Sequence, residues 1–78
     1  MYMLNKKIFA LRLKFLREQH NLSTQKLADA LGLKSKGAIT QFEKGIISPS
    51  VDTLISIADF FDVSLDYLVG RSDDPRRY

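Results

Sequence analysis

Helix-breaking residues cut this chain into five short pieces, and each piece carries apolar residues at the helical period. The first piece runs from about Lys6 to Gln19 with Asn5 as its cap, and Phe9, Leu13 and Leu16 share one face. The second follows Ser23, whose hydroxyl can accept an orphan backbone N–H. It turns Leu27, Ala28 and Leu31 inward and stops at Gly32. The third begins near Ser35 and ends at Gly45, with Ile39 and Phe42 as its core residues. Pro49–Ser50 opens a fourth, with Val51, Leu54, Ala58 and Phe61 on one face. Asp62–Val63–Ser64 interrupts that pattern, and Ser64 caps a short fifth piece carrying Leu65, Tyr67 and Leu68, which Gly70 ends. No stretch alternates apolar and polar residues with the β-branched enrichment of a strand. The expected fold class is all-α, a compact five-helix bundle. Residues 1–5 read as an N-terminal extension, 6–70 as the folded domain and 71–78 as a polar C-terminal tail.

A chain of 78 residues holds one small domain. One core of that size supplies about 3–5 kcal/mol. Cysteine is absent, which removes disulfide scaffolds and thiolate metal sites. His20 is the only histidine, so a multi-histidine metal site is excluded too, and a lone His is ordinarily packed or solvated. No metal, cofactor or small-molecule ligand is implied. No segment approaches the roughly 20 apolar residues of a membrane span. Lys6 and Lys7 precede an apolar stretch as in a signal peptide, but Arg12 and Lys14 interrupt it and no small-residue cleavage site follows. The protein is expected in the cytoplasm. The short stretch after Gly70 is expected to carry no effector or self-cleaving domain.

Charge is unevenly placed. Residues 1–44 hold Lys6, Lys7, Arg12, Lys14, Arg17, Lys26, Lys34, Lys36 and Lys44 against Glu18, Asp29 and Glu43. Residues 45–69 hold no Lys or Arg, and carry Asp52, Asp59, Asp62 and Asp66. The tail mixes Arg71, Arg76 and Arg77 with Asp73 and Asp74. One part of the molecule attracts polyanions and another does not. A randomly charged soluble surface is the plainer alternative.

The second and third pieces have the shape of a helix-turn-helix: two short helices joined by a Gly-led turn. Ala28 is small enough for close approach. Any small α bundle with short loops shares that spacing, so the outward face of the third helix decides. With Ile39 and Phe42 inward, Lys36, Gly37, Thr40 and Gln41 point outward, flanked by Lys34 and Lys44. Lys reads guanine edges, Gln reads adenine edges, and Thr reads either or meets a thymine methyl. The only acid nearby is Glu43, at the helix end. Ser35 and Lys36 could suggest a Ser–Lys catalytic pair, but nothing supplies a base or an oxyanion site, and no enzyme activity is expected.

From Arg12 to Gly70 the chain resembles the Cro/repressor-type (XRE) helix-turn-helix family, whose λ-repressor-like domain is a five-helix bundle. The resemblance rests on residues 13–18 (LKFLRE), 22–28 (LSTQKLA) and 39–45 (ITQFEKG), then Pro49–Ser50 and 63–68 (VSLDYL), in that order and at the right spacing. It implies that the third helix lies in the major groove. Phosphate contacts would fall on Thr24, Ser35 and the Lys44–Gly45 end, and base contacts on Lys36, Gly37, Thr40 and Gln41. Gln25 beside Thr24 and Lys34 in the turn complete the expected DNA-binding face. It also implies that Arg17 and Glu43 form an ion pair tying the first helix to the third. The chain departs from the family pattern at three places. Thr24 stands where Gln is common, the turn is one residue longer at Lys34, and Gly37 removes a side chain from the reading face.

The expected function is a sequence-specific double-stranded DNA-binding transcriptional regulator, a repressor of prophage or mobile-element type that occupies an operator. The alternative is a helix-turn-helix module used for protein contact, anti-repressor or antitoxin-like. A bacterial or phage-encoded, nucleoid-associated homodimer on a near-palindromic operator is expected. Phe60, lying roughly opposite the inward stripe, could form an apolar dimer patch with Val63, Leu65 and Tyr67. The first helix carries a second apolar stripe of Leu4, Ile8, Leu11 and Phe15. Met1–Tyr2–Met3 folding back, Tyr78, or a second protein chain could cover it.

Overall fold

The computed structural model describes residues 5–77. Five helices follow one another: α1 (Lys6–Gln19), α2 (Thr24–Ala30), α3 (Lys36–Glu43), α4 (Val51–Phe61) and α5 (Leu65–Leu68). No strand occurs among the described residues. Each helix starts on a side-chain cap. The Asn5 carboxamide oxygen accepts from the Lys7 and Ile8 amides, and Ser23, Ser35, Ser50 and Ser64 accept from Lys26, Gly37, Thr53 and Tyr67. Each cap satisfies a donor that the helix itself leaves orphaned, worth about 1 kcal/mol against alanine.

The helix ends are equally uniform. Asn21, Gly32, Gly45, Asp62 and Gly70 all take positive φ at the residue that turns the chain away. At Gly32 the amide donates to Asp29 O and the following Leu33 amide to Ala28 O. The same paired bonds recur at Gly45 with Phe42 and Gln41, and at Gly70 with Tyr67 and Asp66. This is the Schellman ending, which closes the last carbonyls of a helix.

The core is built from Phe9, Leu13 and Leu16 of α1, Leu27 and Ala28 of α2, and Ile39 and Phe42 of α3. Ile57, Ala58 and Phe61 of α4, with Val63 and Leu68, complete it. The Phe42 ring meets Phe9 edge to face, centroids 5.9 Å apart. That contact seats α3 across α1. Two sequence expectations need correction here. Val51 is 68% exposed because it lies in the first turn of α4, past the edge of the core. Ile57, six residues further along, is fully buried in its stead. Val63 is also buried, in the bend between α4 and α5, so it cannot present an interface.

The α1 stripe is divided rather than uniform. Ile8 is half-buried against Gly70. A Cβ added at Gly70 would stand 3.0 Å from Ile8 Cγ2, so the Ile8 side chain would have to shift, and φ is +88° there, a conformation that favours glycine. Leu11 and Phe15 stay open at 66% and 55% exposure. Leu4, the Met1–Met3 extension and Tyr78 lie outside the described residues.

Residues 71–77 fold back onto the bundle. Arg12 donates from one guanidinium nitrogen to the Tyr67 and Ser72 carbonyls and from another to Asp73 Oδ1 at 2.9 Å. Its guanidinium also lies 4.2 Å from the Tyr67 ring centroid. The Ser64 amide donates to Pro75 O at 2.8 Å, and Arg77 pairs with Asp59 and Asp62. Arg12→Leu should therefore leave two buried-side carbonyls without their charged donor. The expected loss is about 2 kcal/mol, which in a domain this small lowers the melting temperature by roughly 8–16 °C. A thermal melt checks it, and an unchanged melting temperature would show that the clasp adds no stability.

Candidate nucleic-acid interface

Helices α2 and α3 and the turn between them form the outward-facing unit. Leu27 and Ala28 on one side and Ile39 and Phe42 on the other pin both helices to the core. The turn runs from Leu31 to Ser35, with Leu31, Leu33 and Ala38 packed beneath it. Pinning these apolar side chains fixes which residues face out. Lys34, Ser35, Lys36, Gly37, Gln41 and Lys44 are exposed, and Thr40 is half-buried.

The individual side chains are not equally free to bind. Ser35 Oγ accepts from the Gly37 amide at 3.0 Å, which leaves its hydroxyl hydrogen available. The absent side chain at Gly37 has a local reason: a Cβ there would stand 3.2 Å from Ser35 Oγ and crowd the cap. Thr40 Oγ1 donates back to Lys36 O at 3.3 Å. Gln25 is engaged on its own helix, donating to Asp29 Oδ1 at 2.9 Å. Among the described residues no hydrogen bond holds the Gln41 side chain, which is exposed on the outward face of α3.

Arg17 and Glu43 meet in a forked contact. Arg17 Nε donates to Glu43 Oε2 at 2.6 Å and Nη2 to Oε1 at 3.0 Å. Nη1 donates to Leu22 O at 2.8 Å, so one guanidinium joins α1, the α1–α2 turn and the end of α3. Side-chain exposure is only 14% and 10%. The hydrogen bond to Glu43 raises the Arg17 pKa above its already high ordinary value, against the opposing effect of burial. The one acid on α3 is thus cancelled by an internal partner.

A broader division of charge follows. Every ion pair among the described residues uses an arginine: Arg12, Arg17, Arg76 or Arg77. No lysine among them has a carboxylate partner, and all the lysines lie in residues 6–44. Lys14 belongs to this set. It lines an open cleft with Arg17, Thr24, Thr40, Glu43 and Lys44. Sequence reading passed over Lys14, because its place beside α2 and α3 depends on how α1 crosses them.

Among the described residues no group of His, Cys, Asp or Glu could hold a metal ion, and no helix is long and apolar enough to cross a membrane. His20 Nδ1 lies 2.8 Å from Leu16 O and its ring packs on Phe61, a local contact at the end of α1.

A helix-turn-helix family model matches residues 13–68, which span α2, α3 and most of the core. The chain belongs to the XRE-type helix-turn-helix family. It is 35% identical over 68 residues to YobD of Bacillus subtilis, an uncharacterized HTH-type transcriptional regulator, covering 87% of this chain and 60% of that one. A transcriptional regulator from Listeria innocua has a similar structure, with TM-score 0.74 and 31% identity over 80% of this chain and 57% of that one. The P22 c2 repressor, solved in complex with a synthetic operator, shares the fold, with TM-score 0.77 at 23% identity over 83% and 97% of the two chains. The chain spans about 60% of the length of its curated relative YobD.

Within this helix-turn-helix fold the Arg17–Glu43 contact is the most exposed to single substitution. Removing one partner of a buried pair strands the other charge and costs about 3–5 kcal/mol. Glu43→Leu and Arg17→Met should each nearly unfold the domain. The double variant should lose far less stability than the sum of the two single losses. A double-mutant cycle by urea denaturation checks this, and additive effects would show that the two residues act independently.

Proposed function

We propose that this chain is a sequence-specific double-stranded DNA-binding transcriptional regulator. The observation that carries the reading is an acid-free outward face of α3, with Lys36, Gln41 and Lys44 exposed and Glu43 held by Arg17. Unpaired lysines neutralise backbone phosphates, and Gln41 and Lys36 have the donors that read base edges. The relatives' names as transcriptional regulators, and the operator-bound P22 repressor of the same fold, support the same reading. Thr24, Ser35 and Lys44 are assigned to phosphate, and Lys36, Gly37, Thr40 and Gln41 to base edges; Lys34 flanks them. Gln25 has a lesser part, since Asp29 already holds its amide. The finer reading is a repressor of prophage or mobile-element type that acts by occupying its operator.

Two measurements test this. Affinity for random duplex should fall linearly on a log–log plot against salt, with a slope of about −0.9 for each phosphate contacted. Gln41→Ala should cost about 1–3 kcal/mol at one base position and relax selection there in a library of bound sites, leaving other positions unchanged. An intact selection profile would mean that α3 does not read bases through Gln41. Absence of duplex binding at low salt would leave protein contact as the role, for which the open Leu11 and Phe15 pair is the favouring feature.

A homodimer on a near-palindromic operator completes the proposal. With Val63 buried and Tyr67 half-buried under Arg12, the apolar patch reduces to Phe60 and Leu65, at 43% and 40% exposure. An isologous contact there would set two copies of α3 about 34 Å apart, one turn of duplex. Phe60→Glu should shift sedimentation toward the monomer and abolish cooperative binding to paired half-sites, with single half-site binding retained. A monomeric parent protein with no cooperativity on DNA would overturn the dimer.

A further inference from the structure

Helix α1 carries a second seam that the core leaves unused. Ile8, Leu11 and Phe15 follow one another at spacings of three and four residues, the repeat by which two helices pack side by side. Ile8 closes one end against Gly70, while Leu11 and Phe15 stay exposed. The apolar surface does not stop at the helix. Phe15 also lines an open cavity of about 330 Å³, whose walls include Phe61, Val63, Tyr67 and Pro75. The seam therefore has a socket for one large side chain, the kind of anchor on which helix-in-groove contacts depend. Its two edges differ in charge. Lys7 and Lys14, seven residues apart, share one edge, and neither has a carboxylate partner among the described residues. On the other edge Arg12 is committed to the segment 71–77, and Gln19 is neutral. Asp62 and Arg76 at the cavity are each paired internally, with Arg77 and Asp74.

We infer that the Leu11–Phe15 seam is a docking site for an acidic amphipathic helix of another protein, with one large apolar side chain in the cavity and carboxylates along the Lys7–Lys14 edge. A second copy of this chain fits worse. Antiparallel pairing of Leu11 with Phe15 would bring Lys7 near Glu18 of the second copy. It would also set the two Lys14 side chains on the same edge, offset by only about 3 Å along the axis. Parallel pairing would bring Lys7 beside Arg12 and Lys14 beside Gln19 of the second copy, with no carboxylate to meet them. An acidic helix satisfies both lysines at once, and the one acid on α1 that opposes it is Glu18, at the end of the seam. Phe15 lies about 100° around α1 from Lys14, so the apolar surface is turned aside from the outward face of α3. This site goes beyond the DNA-binding role and does not rest on it.

The test is a selection on the full chain from a library of helix-forming peptides randomised at their apolar and flanking positions. Peptides that also bind a Leu11→Glu, Phe15→Glu double variant are discarded, and circular dichroism checks that each variant melts as wild type does. The expected consensus has apolar residues at the same spacing of three and four, an aromatic or leucine anchor, and Asp or Glu flanks. The best synthetic peptide should bind Leu11→Ala about tenfold more weakly, the change for uncovering one buried leucine. Added salt should weaken its binding to wild type, and Lys7→Gln with Lys14→Gln should remove most of that salt dependence. Both lysines are exposed, so their variants keep the fold. Repeating the selection on Lys7→Glu with Lys14→Glu should reverse the flanks to Lys or Arg. No enriched peptide, or neutral or basic flanks selected by wild type, would overturn the site. Self-association of wild type in sedimentation that Leu11→Ala abolishes would overturn it in favour of a second copy. None of these readouts involves duplex, so their failure leaves the DNA-binding role untouched.

Discussion

One guanidinium connects the three segments on which the outward face depends. Arg17 bonds the carboxylate of Glu43 at the end of α3 and the carbonyl of Leu22 where the chain leaves α1. Both ends of the α2–α3 unit are thereby referred to a single side chain on α1. The Phe9–Phe42 contact sets how deeply α3 sits, and Arg17 sets its rotation and tilt. Ionic contacts taken out of water cost desolvation, and a domain with so small a core has little stability to spare for it. The forked geometry and the extra bond to Leu22 offset that cost by leaving no buried side-chain polar atom unsatisfied among the described residues.

Helix α1 is the central strut in a second sense. Arg12 and Arg17 lie on it five residues apart, so they point about 140° away from each other. Arg17 looks toward α3, and Arg12 looks toward α5 and the segment 71–77. One face of the helix positions the interface, another binds the returning chain, and the stripe between Phe9 and Leu16 fills the core. Leu11 and Phe15 are what remains uncovered after these duties are met.

Arginine and lysine divide the work. Arginines hold the fold together, because a planar fork can satisfy a carboxylate and a carbonyl at once. Lysines stay in water, where a hydrated point charge remains available to a phosphate. Asp59 of α4 and Asp62 at its C-cap match this arrangement: they draw Arg77 back onto the bundle, far along the chain from the lysines. The molecule thus has a cationic part built from residues 6–44 and a net-acidic part built from the rest.

Most of the local structure was legible in the chain itself. Asn5 and the serines at 23, 35, 50 and 64 mark helix starts, and Gly32, Gly45 and Gly70 mark ends, because capping and left-handed turns are decided within a few residues. Asn21 was not read as a stop, since asparagine takes positive φ less often than glycine and so signals it weakly. The helical period also found the inward faces of α1, α2 and α3. It failed where a residue's surroundings come from elsewhere in the sequence. Val51 and Ile57 differ in burial because of where the neighbouring helices end, and Val63 is buried because a bend folds it inward. Gly37 looked like a gap on the reading face, yet its nearest constraint is the Ser35 cap. Lys14 read as one surface charge among many until the crossing of α1 over α2 and α3 set it beside Thr24 and Lys44. The same holds for the tail, whose polar composition said nothing of the Arg12 clasp. Local hydrogen bonds and helical period are written in neighbouring residues, whereas burial, charge partnership and the shape of a cleft belong to pairs far apart in the chain, and only packing brings those pairs together.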